Sequence, residues 1–375
     1  MKRVLMLASV ASMIDQFNMP NIALLQKLGY QVDVACNFIE GNTCSDARVA
    51  ELKQKLQDMH VRCCQIDFAR NIKHMGQNMK ALWQVEGLMK QNTYAFCHCH
   101  SPIGGVVARI AGHRTKTKVI YTAHGFHFYQ GAPIVNWLVY YPVEKVLSRW
   151  TDVLITINYE DYARAKKKFH AGKTYYLPGI GIDLERFHAG DTQTIQQKRR
   201  ELGLQPEDVF LLSVGELSDR KNHVVVIEAM KQLVQRHSQL RYFICGQGEK
   251  KQELQQLIRK YHLEDHVKLL GFRTDVAELC QAADVFVFPS KQEGLPVALM
   301  EAMACGVPVV CSRIRGNTDL IQEEKCLFEP DNEEQVKACI EWILKKNEKN
   351  VVYNKLSKYD LMNVIKEYGE IYAGK

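Results

Sequence analysis

The residues best suited to chemistry lie in PSKQEGLPVALMEAMACGVPVV, residues 289–310. An apolar run, DVFVF, reads as a strand; it ends in a loop holding Glu293, Gly294, Leu295 and Pro296, and a helix follows with Pro296 near its first turn. Unpaired N–H groups and the positive end of the macrodipole at such a helix start suit a phosphate, and Gly294 lets a ligand approach the backbone closely. Glu301 lies about one and a half turns into the helix, roughly 7 to 8 Å along its axis. Two carboxylates so placed reach hydroxyls at both ends of an extended ligand whose phosphates lie between them, which is the layout of a nucleotide sugar. A capped amphipathic helix with surface carboxylates explains any single pair of this kind, so its companions carry the argument.

VGELSDRKN supplies companions: Arg220 and Lys221 follow an apolar run at a strand end, where cations can neutralise a diphosphate leaving group. Alone, a basic dipeptide in a loop is an ordinary solvated surface. HGFHF places His124 and His127 at another strand end, though a histidine there can equally serve to hydrogen-bond the backbone. Asp15 reads as a substrate contact or a helix N-cap. Cys97-His98-Cys99-His100 offers metal-ligand types, but neighbours on a strand point to opposite faces and no second pair at zinc spacing follows, so no metal is expected. No Asp-X-Asp occurs. Arg220, Lys221 and the helix start are therefore expected to hold the departing charge with no metal or other cofactor.

The elements that must position these residues alternate along the chain. RVLMLA, QVDVAC, YAFCHCH, KVIYTAH, VLITIN and KTYYLPGIGID form one series of β-rich runs; VFLLSVG, RYFICG, VKLLG, DVFVFPS and VPVVCS form another. Segments of helical period separate them, as at 222–236 and 250–261, so the spacing predicts α/β architecture with parallel sheets covered on both faces. Two series imply two doubly wound, Rossmann-like domains facing across a cleft: residues 1–184, and 185–356 after the PGIGID boundary. Ligands of such sheets bind beyond the strands' carboxyl ends. At the N-terminus, Lys2 and Arg3 ahead of an uncharged stretch imitate a signal peptide, but VDVACN follows at βαβ spacing and favours a first strand, then a loop, then a helix holding Ile22, Leu24, Leu25 and Leu28.

Composition is that of an ordinary folded soluble protein: 375 residues, 46% hydrophobic and 24% charged, excluding a disordered tail, a fibre or a small disulfide scaffold. Twelve cysteines without regular spacing, several inside apolar runs, read as free thiols in a reducing cytosol. Residues 1–184 hold 22 Lys and Arg against 13 Asp and Glu, leaving 27 against 29 in the remainder. The basic half suggests an anionic partner. Lys166, Lys167, Lys168 and Lys173, with Phe169 and the aromatic residues Trp137, Tyr140 and Tyr141, are candidates for docking on anionic lipid at the inner face of the cell membrane. No apolar run approaches the ~20 residues of a spanning helix, and no nucleic-acid-reading motif is recognisable.

Four features occur in order: Arg220-Lys221, CGQGEKKQEL with its Gly-X-Gly turn, GFRTDV from Gly271, and Glu293 to Glu301 as a Glu-X7-Glu motif. Together they resemble the retaining family 4 glycosyltransferases of the glycosyltransferase-B fold, over nearly the whole chain. TAHGFHFYQGAPIVNWLVYYPVEK resembles bacterial capsule, exopolysaccharide and lipid-linked glycan transferases. The resemblance implies transfer of a hexose or N-acetylhexosamine from a UDP-sugar to a polyprenyl-diphosphate-linked or other glycan acceptor. It implies catalytic roles for His124, Glu293 and Lys221, with His124 facing the donor sugar and Glu293 holding its hydroxyls. Gly215, Arg220 and Lys221 would meet the diphosphate, the backbone of Gly271, Phe272 and Arg273 the nucleobase, the backbone of Gly294, Leu295, Pro296 and Val297 the phosphate or sugar, and Glu301 the ribose. Asp15 and His127 would lie on the acceptor side. The last helix, within 357–375, would cross back to the first domain.

Two departures stand out. Glu216 follows Gly215 where many relatives have Arg, and Ser12, Met13, Ile14 and Asp15 occupy a first loop where many have a glycine pair. Two alternatives remain: a nucleotide-sugar epimerase on the same fold, which would make an epimer without any acceptor, and a silent nucleotide-sugar-binding partner subunit, which would bind UDP without turnover. A dinucleotide oxidoreductase is not expected, because no Gly-X-Gly-X-X-Gly follows the first strand.

Overall fold

The computed structural model describes residues 1–42, 44–69, 74–346, 351, 353 and 356–374; residue 375, the last of the expected C-terminal helix, lies outside them. The chain divides into two units, Met1–Ile180 with Met362–Lys375, and Gly181–Leu361. The first holds strands β1 (Arg3–Val10), β2 (Gln31–Asn37), β3 (Arg62–Gln65), β4 (Tyr94–His100), β5 (Val119–Ala123), β6 (Val153–Thr156) and β7 (Lys173–Tyr176). Its helices are α1 (Ala11–Phe17), α2 (Met19–Lys27), α3 (Asp46–Asp58), α4 (Met75–Gln91), α5 (Pro102–Thr115), α6 (Ile134–Leu147) and α7 (Tyr159–Lys168). The second holds β8 (Val209–Val214), β9 (Leu240–Cys245), β10 (Val267–Gly271), β11 (Val285–Phe288), β12 (Val309–Ser312) and β13 (Leu327–Phe328). It carries α8 (Thr192–Glu201), α9 (His223–Arg236), α10 (Lys251–Lys260), α11 (Val276–Ala282), α12 (Val297–Ala304), α13 (Asn317–Leu320) and α14 (Glu333–Lys346). The last helix, α15 (Leu361–Tyr372), places nearly all its residues in the first unit.

Each unit is a doubly wound parallel sheet, ordered β3-β2-β1-β4-β5-β6-β7 and β10-β9-β8-β11-β12-β13. Burial explains why the strands read as unbroken apolar runs. Along β1, Val4, Met6 and Ala8 enter one core while Leu5 and Leu7 enter another on the opposite face, all fully buried. Both sheets therefore need helices on two faces. The strand order reverses at β1, which lies between β2 and β4, and at β8, which lies between β9 and β11, and in such sheets a crevice opens there at the strands' carboxyl ends.

The expected first strand is present, and it runs on to Val10. The expected loop after it is not: α1 begins at Ala11, with Val10 at its N-cap and no side-chain cap. Ser12, Met13, Ile14 and Asp15 are helical, which corrects both the loop reading and the N-cap reading of Asp15. The helical segment breaks at Asn18 because Pro20, in the first turn of α2, has no N–H to continue the ladder. None of the described helices is long and apolar enough to cross a membrane.

Candidate functional site

In the second unit the loops leaving β8 and β11 meet at the strand-order reversal. The Lys291 amide donates to the Arg220 carbonyl at 2.8 Å. Arg220 Nη1 donates to the Gln292 carbonyl at 3.2 Å and to Glu293 Oε1 at 2.9 Å. Lys221 Nζ donates to the same Glu293 oxygen at 2.8 Å and lies 4.6 Å over the Phe288 ring. Burial pulls the Lys221 pKa down, and Glu293 pulls against it. Two cations thus share one carboxylate oxygen, leaving the cluster net positive. A diphosphate, with more charge and more acceptor oxygens than a carboxylate, is the kind of group that can displace Glu293 from them.

Close backbone contacts hold the two loops. A Cβ at Gly246 would fall 1.8 Å from the Gly215 carbonyl oxygen, so only glycine allows the Gly-X-Gly turn to lie on 215–217. There Gly215 N bonds Cys245 O and Leu217 N bonds Gln247 O, each at 2.9 Å. Gly316, at φ +82, fits under the Gly294 carbonyl, and Arg315 Nε donates to the Glu293 carbonyl at 3.1 Å. Sequence reasoning passed over Arg315 and Gly316; RIRGN directly after the PVVCS strand was their signal.

Leu295 and Pro296 lead into α12, whose N-cap is Pro296 with no side-chain cap, so the amides at Val297 and beyond stay available to a ligand. Glu301 is carried inward by α12, and burial lifts its pKa to about 7 against the pull of Arg186. Gly271 ends β10 and accepts from Gly246 N at 2.8 Å. Phe272 is 71% exposed. The Arg273 guanidinium is held by Asp275, Nε to Oδ1 at 2.7 Å. Glu216, the departure from the family pattern, is exposed.

In the first unit, β4 and β5 carry a buried histidine group. Phe96, His98 and His100 lie on the β4 face opposite Cys97 and Cys99, so the four residues of the CHCH run diverge. His98 Nδ1 meets Tyr372 Oη and its Nε2 meets Thr122 Oγ1, both at 2.8 Å, so α15 helps fix it. His100 Nδ1 lies 3.0 Å from His124 Nε2. Burial lowers the pKa of His98 to about 3 and of His124 to about 4, and pushes His100 well down, so all three are neutral at pH 7. His100 Nε2 is buried with no hydrogen-bond partner among the described residues. A proton there would be an orphan donor, the costlier arrangement. The shared proton therefore sits on His100 Nδ1, and His124 accepts it at Nε2 and carries its own on Nδ1. His100 had drawn attention only as a metal ligand.

The remaining first-unit candidates are already engaged. Arg48 binds both Asp15 oxygens, at 2.8 and 3.1 Å. The His127 ring stacks on Tyr140 at 4.5 Å, and its carbonyl accepts from Asn136 Nδ2 at 2.9 Å. The aromatic group expected at a lipid surface turns inward: Trp137 and Tyr141 pack on Phe128, Tyr141 reaches Phe169, and Phe169 is buried. Lys166, Lys167 and Lys168 end α7 and are exposed.

Comparison with known proteins gives a consistent result. Residues 194–359 match the family model "Glycosyl transferases group 1", and residues 19–178 match "Glycosyl transferase 4-like domain". The chain is 36% identical over 326 residues to EpsD of Bacillus subtilis strain 168, which carries a glycosyltransferase name; the match covers 86% of this chain and 81% of that one. It is 32% identical over 258 residues to an Escherichia coli UDP-Gal:alpha-D-GlcNAc-diphosphoundecaprenol alpha-1,3-galactosyltransferase, covering 66% and 65%. Among solved structures it resembles Anabaena Alr3699/HepE in complex with UDP, with TM-score 0.78, 19% identity and full coverage of both chains.

Proposed function

The chain belongs to the family 4 glycosyltransferases, and on that premise we propose that it moves a hexose or N-acetylhexosamine from a UDP-sugar, with retention, to a polyprenyl-diphosphate-linked or other glycan acceptor in surface-polysaccharide synthesis. The observation that carries the reading is the sharing of Glu293 between Arg220 and Lys221 where β8 and β11 end. The E. coli relative named for a diphosphoundecaprenol acceptor supports the lipid-linked part. The UDP and UDP-glucose complexes of the Anabaena protein support the donor.

In this reading the donor diphosphate takes Arg220 and Lys221, and Glu293 is released to the sugar hydroxyls. Amides at the start of α12 approach the phosphate, Glu301 holds the ribose, and the 271–273 backbone meets the base. His124 offers Nδ1–H to the sugar. An acceptor hydroxyl attacks the anomeric carbon on the face that the diphosphate leaves. The anomeric C–O bond to phosphate breaks with its electron pair going to the diphosphate, whose oxygen takes the acceptor's proton, so no protein nucleophile is needed. No metal or other cofactor enters, since the cations and the helix start meet the departing charge. The site of action is the cytoplasmic face of the membrane.

Transfer of radiolabelled sugar from UDP-sugars to membrane lipid extracts tests this. Lys221→Ala and Glu293→Gln should each lose about 10- to 1,000-fold in transfer, the usual cost of one such electrostatic contact. Both variants staying within twofold of the parent would overturn the assignment.

A further inference from the structure

The face of α6 opposite its packed aromatic residues is bare. Ile134, Val135, Leu138, Val139, Val143 and Val146 recur at the spacing of one helical stripe, and all are exposed, Ile134 at 78% and Leu138 at 71%. Because Trp137, Tyr141 and Leu147 lie on the inner side, α6 carries apolar side chains on both faces, as buried and lipid-facing helices do. No described residue covers the stripe.

The charges around it are mainly basic, with Glu160 paired to Arg164. Between Arg114 and Trp150 there are five Lys and Arg and a single acidic residue, Glu144. Glu144 is turned inward and locked to Arg109 at 2.7 Å. Cations gather at the C-terminal end of the stripe. Lys145 and Arg149 follow in the chain, and His113 stacks on Trp150 at 4.4 Å, bringing the α5 end with exposed Lys116 alongside. His170 N donates to Ser148 Oγ at 2.9 Å, bringing the Lys166–Lys168 end of α7 to the same place. Arg114 is held by Glu86. Protein interfaces favour aromatic residues and Met at their centre. Here the aromatic residues face the core and the outer stripe is aliphatic, bordered by lysines, as in helices that lie in a membrane interface. Val139 and Val143 also border an apolar cavity of about 110 Å³ walled by Ile103, Val107 and Phe128. That is smaller than the ~150 Å³ cavity known to hold benzene, and suits one small hydrocarbon branch.

We propose that this outer face of α6 lies on an anionic lipid leaflet, its aliphatic side chains among the acyl chains and the basic end against the headgroups. The proposal rests on the reading of a lipid-linked acceptor and says which surface meets the membrane that holds it.

The test is co-sedimentation of the full chain with mixed phosphatidylcholine–phosphatidylglycerol vesicles and with phosphatidylcholine alone, without nucleotide or acceptor, so that its failure is separate from failure of the transfer reading. The parent should bind the mixed vesicles several-fold better than the neutral ones. Ile134→Glu with Leu138→Glu should cut that binding at least about tenfold, while Trp83→Glu, at a 65% exposed site on α4, should leave it unchanged. Hydrogen exchange of the parent should slow across α6 when mixed vesicles are added, a readout independent of any variant. Equal binding of both vesicle types, undiminished binding by the double variant, or unchanged exchange in α6 would overturn the proposal. So would a dimer that the double variant converts to monomers, since the stripe would then be covered by a second copy.

Discussion

The two units handle polarity at their strand ends in opposite ways. In the second, Arg220 and Lys221 both donate to one oxygen of Glu293, with Arg220 still open to solvent. In the first, His98, His100 and His124 are stripped of charge by burial, with His98 bonded to Tyr372 and Thr122 and His100 to His124. A site that must accept a diphosphate benefits from cations whose counter-ion can be exchanged. A site that must orient sugar hydroxyls benefits from uncharged groups with fixed tautomers, which stay put when charge moves elsewhere. The proposed chemistry uses this division, with charge gripping the leaving group and neutral hydrogen bonds orienting the sugar.

Breaking the neutral half should have a large effect, though within the range expected of Lys221→Ala and Glu293→Gln. His100 is a positioning residue that presents Nδ1–H to His124. His100→Phe should lower kcat about 10- to 100-fold, the range for losing an outer-shell partner, with little change in donor KM. His100→Asn, which keeps a donor near the Nδ1 position, should recover much of the loss. Long-range ¹H–¹⁵N correlation spectra should show His124 protonated on Nδ1 in the parent and not in His100→Phe. A His124 protonated on Nε2 in the parent would contradict the tautomer assignment.

A smaller effect should come from Glu301 in the second unit. Glu301 is a carboxylate whose pKa burial has raised to about 7. If its ionised form holds the ribose, UDP-sugar affinity should rise by up to about tenfold from pH 6 to pH 8, following the ionised fraction, and Glu301→Gln should flatten the profile. Stability should run the other way. A carboxyl whose folded pKa exceeds its unfolded value penalises folding increasingly as pH rises from about 4.5 to 7. Glu301→Gln should therefore raise the melting temperature at pH 8 and leave it nearly unchanged at pH 4.

Much of the fold was legible because parallel strands buried on both faces must be apolar at every position. What escaped was what burial does not mark. The edge strand β3 is RCCQ, mostly exposed, and β13 has only two residues. The helix α1 follows β1 with no capping residue and so read as a loop. The individual candidates Glu293, Arg220 and Lys221 were visible as residue types at strand ends. Their sharing of one oxygen was not, because the loops are about seventy residues apart and only the β8–β11 pairing brings them together. The His100–His124 contact was hidden in the same way by the β4–β5 pairing. The apolar segment of α6 was noticed through its aromatic residues, although its aliphatic side is the exposed one, since the packing partners Phe128 and Phe169 are distant in sequence.

The central claim is that the donor diphosphate replaces Glu293 on Arg220 and Lys221. Titration calorimetry with UDP tests it most directly, because the two partners of one ion pair should respond in opposite directions. Glu293→Gln, which removes the competing carboxylate, should bind UDP a few-fold more tightly than the parent even as transfer is lost, whereas Lys221→Ala should bind it about tenfold or more weakly. Weaker binding by Glu293→Gln, or unchanged binding by Lys221→Ala, would contradict the account.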